Sequence, residues 1–210
     1  MFIIWGKRTY GAVDKVGTTT VKTVFGHLYY LPLIPMSSHY VDAKSGTSYE
    51  LTSMDGRSIL CAYLRIWMPL AFVIALIAFD VFETVDGMLG KVICGLIMAL
   101  SAAAAIGSYI YDKKVVRKES AQVRDMMQRH FGVALDPYRC RASLQADIDE
   151  RVRAQSNDPL DPSWYTRTLD DAVSQPFLVD LAVLRARCDQ HDGTLQTRAL
   201  QRLPGARKAA

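Results

Sequence analysis

Three groups of residues in this chain have types and spacings that could do chemistry. His27 and His39 stand at the ends of the segment HLYYLPLIPMSSHY. Imidazole is the commonest protein ligand for transition metals, and Cys61 or Asp42 could complete a set. Zinc needs three or four ligands at fitting geometry, and no tight His-x-x-x-His pair is present. An even separation puts both histidines on one strand face only if the strand ignores Pro32 and Pro35. The preferred reading is a half-buried histidine bonded to backbone. Asp80, Glu83 and Asp86 could form a cation site or proton relay. They fall in a short connection between apolar stretches, where acidic residues are unremarkable. Asp147, Asp149 and Glu150 could act as acid and base if burial drove their pKa values apart. With Arg151 and Arg153 beside them they read as a salt-bridged outer face. No G-x-S-x-G, HExxH, Walker-type loop or G-x-G-x-x-G occurs. No catalytic residue, metal ligand or cofactor is therefore assigned, and the reading leans away from an enzyme.

The elements that would position these groups are dominated by two apolar runs. Ile59 to Phe79 carries one charge, Arg65, and Val92 to Tyr111 carries none. About 20 apolar residues suffice to cross a bilayer. Arg65 is expected to snorkel to the headgroups, and Pro69 to kink the first span. A buried hairpin inside a soluble globule is the weaker alternative, since charges stand only near the ends of both runs. In the second run the small residues Gly95, Ala99, Ser101, Ala103, Ala105 and Gly107 recur at four-residue steps. They predict a flat face that packs on the first span; homodimerisation is the sharper alternative. Arg57, Lys113, Lys114, Arg117 and Lys118 flank the outer ends, against the acidic connection. The positive-inside rule then places both termini in the cytoplasm. Tyr63, Tyr109 and Tyr111 would line one interface as an aromatic belt.

Composition agrees with a membrane protein. Half of the 210 residues are hydrophobic although 22% are charged, and the net charge is only +4. That excess is too small to indicate nucleic acid, and no RNP-like motif is present. Cys61, Cys94, Cys140 and Cys188 are far apart with no CxxC pair, so neither a zinc ribbon nor a disulfide framework is expected. MFIIWGKRTYG lacks the features of a signal peptide, and Phe2 stands where N-myristoylation requires glycine.

Four regions follow. Residues 1–57 are rich in Thr, Val, aromatics and turn residues, and predict a small cytoplasmic sheet or partial barrel of four or five strands. Lys44-Ser45-Gly46 reads as a hairpin turn and Asp55-Gly56 as another. Within this module Leu31, Pro32, Leu33, Ile34 and Pro35 should not be a central strand, because proline lacks an N–H. The segment predicts an extended, polyproline-like elbow that, with His27, Tyr29, Tyr30 and His39, offers an interaction surface. Residues 58–111 are the transmembrane hairpin. Residues 112–203 predict an all-α cytoplasmic domain: a helix over 112–131 with Val116, Val123, Met127 and Phe131 on one face, and a helix over 137–155 after Asp136-Pro137 carrying Leu144, Ile148 and Val152. Beyond SNDPLDPSWY, Asp161 and Ser174 are candidate caps, Leu178, Leu181, Ala182 and Leu184 mark another helix, and a short one covers 194–203. Residues 204–210 form a basic tail expected to fray. The fold class is thus an α+β membrane protein.

The opening also resembles a known family. Trp5, Gly6, Tyr10, Gly11, Val13, Asp14, Val16, Phe25, His27, Leu31 to Pro35 and Ser38 fit WG-x-x-x-YG-x-VD-x-V followed by F-x-H-x-x-x-LPLIP-x-x-S. That pattern is similar to the start of a family of poorly characterised bacterial membrane proteins with two transmembrane helices. The resemblance covers about the first fifth of the chain plus the two spans. It implies architecture in a bacterial inner membrane and brings no activity with it. Some similar openings precede a cysteine zinc ribbon; this chain lacks those cysteines, so metal binding is not carried over.

The expected function is a non-enzymatic inner-membrane scaffold or docking subunit, partnered by the lipid bilayer and by another protein or itself. A membrane-bound enzyme or lipid-handling protein, with a site between the β module and the bilayer, is the second expectation. An oligomeric channel or transporter subunit is the third.

Overall fold

A computed structural model describes residues 5–84, 87–115, 117–154, 161–171 and 175–203. Four strands come first: β1 (Trp5–Val16), β2 (Thr19–Leu28), β3 (Leu31–Asp42) and β4 (Ser48–Glu50). They form one antiparallel sheet in the order β1-β2-β3-β4. Seven α-helices follow: α1 (Gly56–Thr84), α2 (Met88–Lys114), α3 (Lys118–Phe131), α4 (Gln145–Arg153), α5 (Trp164–Asp170), α6 (Pro176–Cys188) and α7 (Gly193–Gln201), with a 3-10 turn at Pro137–Arg139. The chain divides into two compact units. One comprises Met1–Lys15, Thr20–His39 and Ser53–Val116; the other comprises Val16–Thr19, Tyr40–Thr52 and Arg117–Ala210.

In the first unit, alternation drives the sheet. Val21, Thr23, Phe25 and His27 of β2 are buried, two residues apart on one face. The β2–β3 turn holds Tyr29 and Tyr30 at φ 48° and 65°. Two-residue hairpin turns need positive φ at both central positions, which usually selects Asn-Gly. Here the Tyr10 hydroxyl donates to the Tyr30 carbonyl at 2.7 Å, and the His27 ring stacks on Tyr30 at 5.5 Å. These contacts hold a turn that the sequence would otherwise disfavour.

The segment expected as a crossover elbow, LPLIP, is instead the first part of β3. Its prolines are tolerated because β4 is only three residues long, so this part of β3 has a neighbour strand on one side alone. Side chains of α1 replace the missing neighbour: the Tyr63 hydroxyl donates to the Leu33 carbonyl at 2.7 Å, and Trp67 Nε1 donates to the Pro32 carbonyl at 3.1 Å. Pro32 is buried, Leu31, Leu33 and Pro35 are half-buried, and Ile34 is 59% exposed.

Both long helices are apolar enough to cross a membrane, with mean hydropathy 2.1 in each. Only 17% and 11% of their apolar windows are buried. Phe72, Val73, Ile74, Leu76 and Ile77 point outward, an apolar face of the kind that meets a membrane or another protein. Helix α1 runs through Pro69. On α2 the buried residues are Cys94, Ser101 and Ser108, seven apart, with Lys91, Met98, Ala105 and Asp112 among the half-buried ones beside them. That is a heptad seam, the geometry of antiparallel helices packed at a shallow angle.

The small-residue face therefore divides. Ser101 and Ala105 lie in the seam. Ala99, Ala103 and Gly107 are exposed, Gly95 is half-buried, and no atom lies within 4 Å of where a Cβ would stand at Gly95 or Gly107. The reason is helical geometry: a row of i+4 steps advances about 40° per step away from a straight line on the helix, so a small stripe and a heptad seam diverge. Asp80 is exposed near the end of α1; Asp86 lies outside the described residues, as does the side chain of Glu83.

The second unit is held by a buried ion pair. Asp136 is fully buried and accepts from Arg187 Nη2 at 2.9 Å, from Ser120 Oγ at 3.0 Å and from the Tyr138 N–H at 3.2 Å. Arg187 also donates to Gln196 at 3.0 Å and lies over the Tyr138 ring at 4.6 Å. One carboxylate thus ties α3, the 3-10 turn and α6 together, and α6 to α7. Val123 and Met127 of α3 are buried and Phe131 is half-buried, as their spacing predicts; Val116 lies outside the described residues. Leu144, Ile148 and Val152 are buried as expected, but the helix expected over 137–155 is shorter. Asp136 caps only the 3-10 turn, through the Tyr138 N–H, and α4 begins at Gln145. Leu181, Ala182 and Leu184 are buried in α6; the expected cap Ser174, part of the loop after Ala154 and the tail 204–210 fall outside the described residues.

Breaking a buried pair by removing one partner costs about 3–5 kcal/mol. Asp136→Ala is expected to destabilise the helical unit by about that amount in denaturant unfolding followed by circular dichroism. Asp147→Ala, at an exposed position of the same unit, is expected to change stability by less than about 0.5 kcal/mol.

Candidate functional site at the junction of the sheet and the helical hairpin

The polar groups of the first unit converge where β1 meets the start of α1 and the end of α2. Asp55 caps α1, accepting from the Ser58 N–H at 3.0 Å. From there a directed chain of hydroxyls runs into the sheet. Thr23 Oγ1 donates to Ser58 Oγ at 2.9 Å, and Ser58 Oγ donates to the Gly11 carbonyl at 2.7 Å. Thr23 has a single proton, already given, so Ser38 must be the donor in the Ser38–Thr23 bond at 2.8 Å. The Asp55 N–H in turn donates to Ser38 Oγ at 2.9 Å. Thr23, Ser38 and Ser58 are all buried, so each satisfied bond matters.

Gly11 makes this approach possible. Its φ is +67°, and a Cβ there would stand 1.9 Å from the Ser58 carbonyl oxygen and 3.0 Å from the Ala62 Cβ. Only glycine fits both the backbone conformation and the space.

Beside the hydroxyl chain lies a charged cluster. Asp112, near the end of α2, accepts the Asp14 N–H at 3.0 Å and pairs with Arg65 at 3.4 Å and Arg57 at 3.8 Å. Arg65 also donates to the Ala12 carbonyl at 2.6 Å and lies over the Tyr109 ring at 4.3 Å. Arg57 is 9% exposed and faces the Tyr111 ring at 5.7 Å; its guanidinium makes no hydrogen bond among the described residues. Arg65 is spent on β1 and Asp112. Tyr109 and Tyr111, expected as an aromatic belt, serve as platforms for the two arginines, and Tyr63 serves β3.

The residues singled out from the sequence are not brought together. His27 is buried in β2 against Tyr30. His39 is half-buried and bonded to Ser37 Oγ at 2.8 Å. The Thr23–Ser38 bond places the odd positions of β2 and the even positions of β3 on one face, so His39 points to the other. Cys61 lies against the Ser108 carbonyl, while Asp42 is engaged by Ser45 and Thr18. No three His, Cys, Asp or Glu side chains gather in metal-binding geometry among the described residues. Asp149 accepts from Trp164 Nε1 at 3.1 Å and pairs with Arg185 at 3.3 Å, so it braces α4 against α5 and α6; Asp147 and Glu150 are exposed.

A cavity of about 290 Å³ in the second unit is lined by Cys140, Arg141, Cys188 and His191, among others. Burial pushes both thiols up, Cys188 to about 12. A nucleophilic cysteine needs the opposite shift, so these behave as inert thiols. The Ser58 hydroxyl gives its proton to a carbonyl rather than to a base and is likewise not set up as a nucleophile. What the junction does chemically is hold: it satisfies buried donors and fixes the hairpin to the sheet.

Sequence reasoning missed Gly11, Thr23, Ser58, Arg57 and Asp112 as one cluster. From the sequence Arg57 reads only as a flanking charge, and Asp112 is not singled out. The signal available was Arg65 inside an apolar run, which in a membrane helix calls for a named partner. No protein-family model, curated protein or solved structure matches this chain.

Gly11→Ala is expected to destabilise the first unit by at least about 3 kcal/mol, since overpacking and left-handed strain add. Gly46→Ala, also at positive φ but with nothing within 4 Å, is expected to cost only about 1 kcal/mol. Thermal unfolding in detergent separates the two.

Proposed function

We propose that this protein is a non-enzymatic scaffold of a bacterial inner membrane, anchored by the α1–α2 hairpin and presenting its sheet and helical unit as docking surfaces on the cytoplasmic face. The observation that carries this reading is the junction: α1 and α2 are bonded directly to β1, β2 and β3 through Asp112, Arg65, Ser58, Tyr63 and Trp67. A tether needs no such lock, whereas a docking platform held at fixed height and angle does. The charge pattern supports the orientation, with Lys113, Lys114, Arg117 and Lys118 on one side and Asp80, Glu83 and Asp86 on the other. The family resemblance of the opening segment points to the same architecture. The separation of His27 from His39 and the raised Cys140 and Cys188 thiols weigh against the enzyme reading.

A photo-crosslinker placed at Tyr138, which is 41% exposed on the helical unit, is expected to give one discrete protein adduct in native membranes. The same group at Phe72, on the outward face of α1, is expected to give none. Adducts absent from every exposed position of the sheet and helical unit would contradict the reading. Lys44→Cys is expected to react with an impermeant maleimide only after the membrane is opened.

A second reading has its own observation. The stripe Gly95, Ala99, Ala103 and Gly107 is not used in packing α2 on α1, so it is available to a second copy in an oligomeric assembly. Gly107→Leu is expected to shift such an oligomer to monomer in cross-linking and light scattering without loss of helix content. An unchanged mass contradicts it.

A further inference from the structure

We propose that the β2–β3 hairpin tip and the start of β1 form a foot that sits in the headgroup layer of the bilayer that α1 and α2 cross; this rests on the membrane reading above. Trp5 is 61% exposed, Tyr30 54%, Ile34 59% and Tyr29 44%. They are one patch. The Trp5 ring lies 3.7 Å from where a Cβ would stand on Gly26, and the Ile34 carbonyl lies 3.9 Å from the same point. Arg8 stands over the Tyr30 ring at 5.4 Å, so a cation borders the aromatics.

Depth decides what covers this patch. The Trp67 bond to the Pro32 carbonyl and the Tyr63 bond to the Leu33 carbonyl fix the hairpin beside α1. From Trp67 to the end of α1 at Thr84 the helix runs about 27 Å, at roughly 1.5 Å per residue. From Ser108, whose carbonyl Arg65 reaches, back to Met88 the second helix runs about 31 Å. The hydrocarbon core is about 30 Å thick. Both helices therefore reach the near boundary at the level of Trp67 and Arg65, which is where the hairpin tip is held. Trp and Tyr favour this layer because their rings are apolar with one polar atom, and an arginine there meets lipid phosphates. The turn itself argues the same way. Two tyrosines occupy positive-φ positions that Asn-Gly would fill without strain, so the sequence keeps aromatic rings at the tip against local preference.

The test uses the full chain in phosphatidylcholine–phosphatidylglycerol vesicles, with Trp164→Phe to remove the tryptophan of the helical unit. The Trp5 signal is the emission lost on adding Trp5→Phe, which leaves the Trp67 bond intact. Lipids brominated near the headgroup end of the acyl chain are expected to quench that signal at least two-fold more than lipids brominated near the chain terminus. In a companion protein carrying Trp5→Phe, Trp164→Phe and Val73→Trp, the added emission is expected to be quenched most by the deeper bromines. Quenching at Val73→Trp without quenching at Trp5 overturns the proposal and leaves the membrane reading standing. Quenching at neither position overturns both. Shielding of Trp5 from bromine and from aqueous iodide together marks a protein-covered face and also overturns it.

Discussion

Asp112 is the residue on which the first unit depends. It sits on α2, accepts an amide from β1 and pairs with two arginines of α1. A carboxylate near the end of an apolar helix is costly unless its oxygens are met. Here three groups from two other elements, β1 and α1, meet them. Hydrogen bonds to a charged group contribute about 1.5–3 kcal/mol each, several times what an exposed ion pair gives. The same groups leave Arg65 no freedom to reach for solvent. The charge that looked like an imperfection in the first span is the point at which the hairpin joins the sheet.

Several other features follow from that join. The first turns of α1 belong with the sheet: Ser58, Cys61 and Ala62 are almost wholly covered, whereas the outward face beyond Pro69 is open. Close approach at Ser58 demands Gly11, and the hydroxyl chain through Thr23 and Ser38 satisfies the polar groups that this approach buries. Tyr63 and Trp67 then each donate to a carbonyl of β3. The second unit uses the same device with different residues, since Asp136 gathers Arg187, Ser120 and Tyr138 in a buried network. In both units the ionisable groups that count are those spent on structure.

Much of the architecture was legible in the sequence because it rests on periodicity and length. The two apolar helices, the strand-rich opening, the Lys44-Ser45-Gly46 turn and the stripe Leu144, Ile148 and Val152 are all local patterns. The failures share a cause, which is that a neighbour far along the chain decided the outcome. Pro32 and Pro35 argued against a strand, yet the far side of that segment is met by Tyr63 and Trp67 rather than by another strand. The small residues of α2 suggested one packing face, but a four-residue repeat winds off a heptad seam, so only Ser101 and Ala105 lie in it. Asp136-Pro137 looked like the start of a long helix, yet the Asp136 cap starts only a 3-10 turn and α4 begins at Gln145. The junction was the least legible part. Gly11, Ser58 and Asp112 are 47 and 54 positions apart in sequence, and no spacing rule links them.

Through Asp112 the sheet and the hairpin are one locked body. Amide hydrogen exchange of Asp14, measured on the protein in lipid nanodiscs, tests it most directly, because that N–H donates to Asp112 across the junction. The account predicts that the Asp14 amide in the wild-type chain exchanges as slowly as the central amides of β2, and that Asp112→Ala speeds it at least a hundred-fold, the equivalent of about 2.7 kcal/mol of lost protection. Rapid exchange at Asp14 in the wild-type chain, or no change on Asp112→Ala, would contradict it.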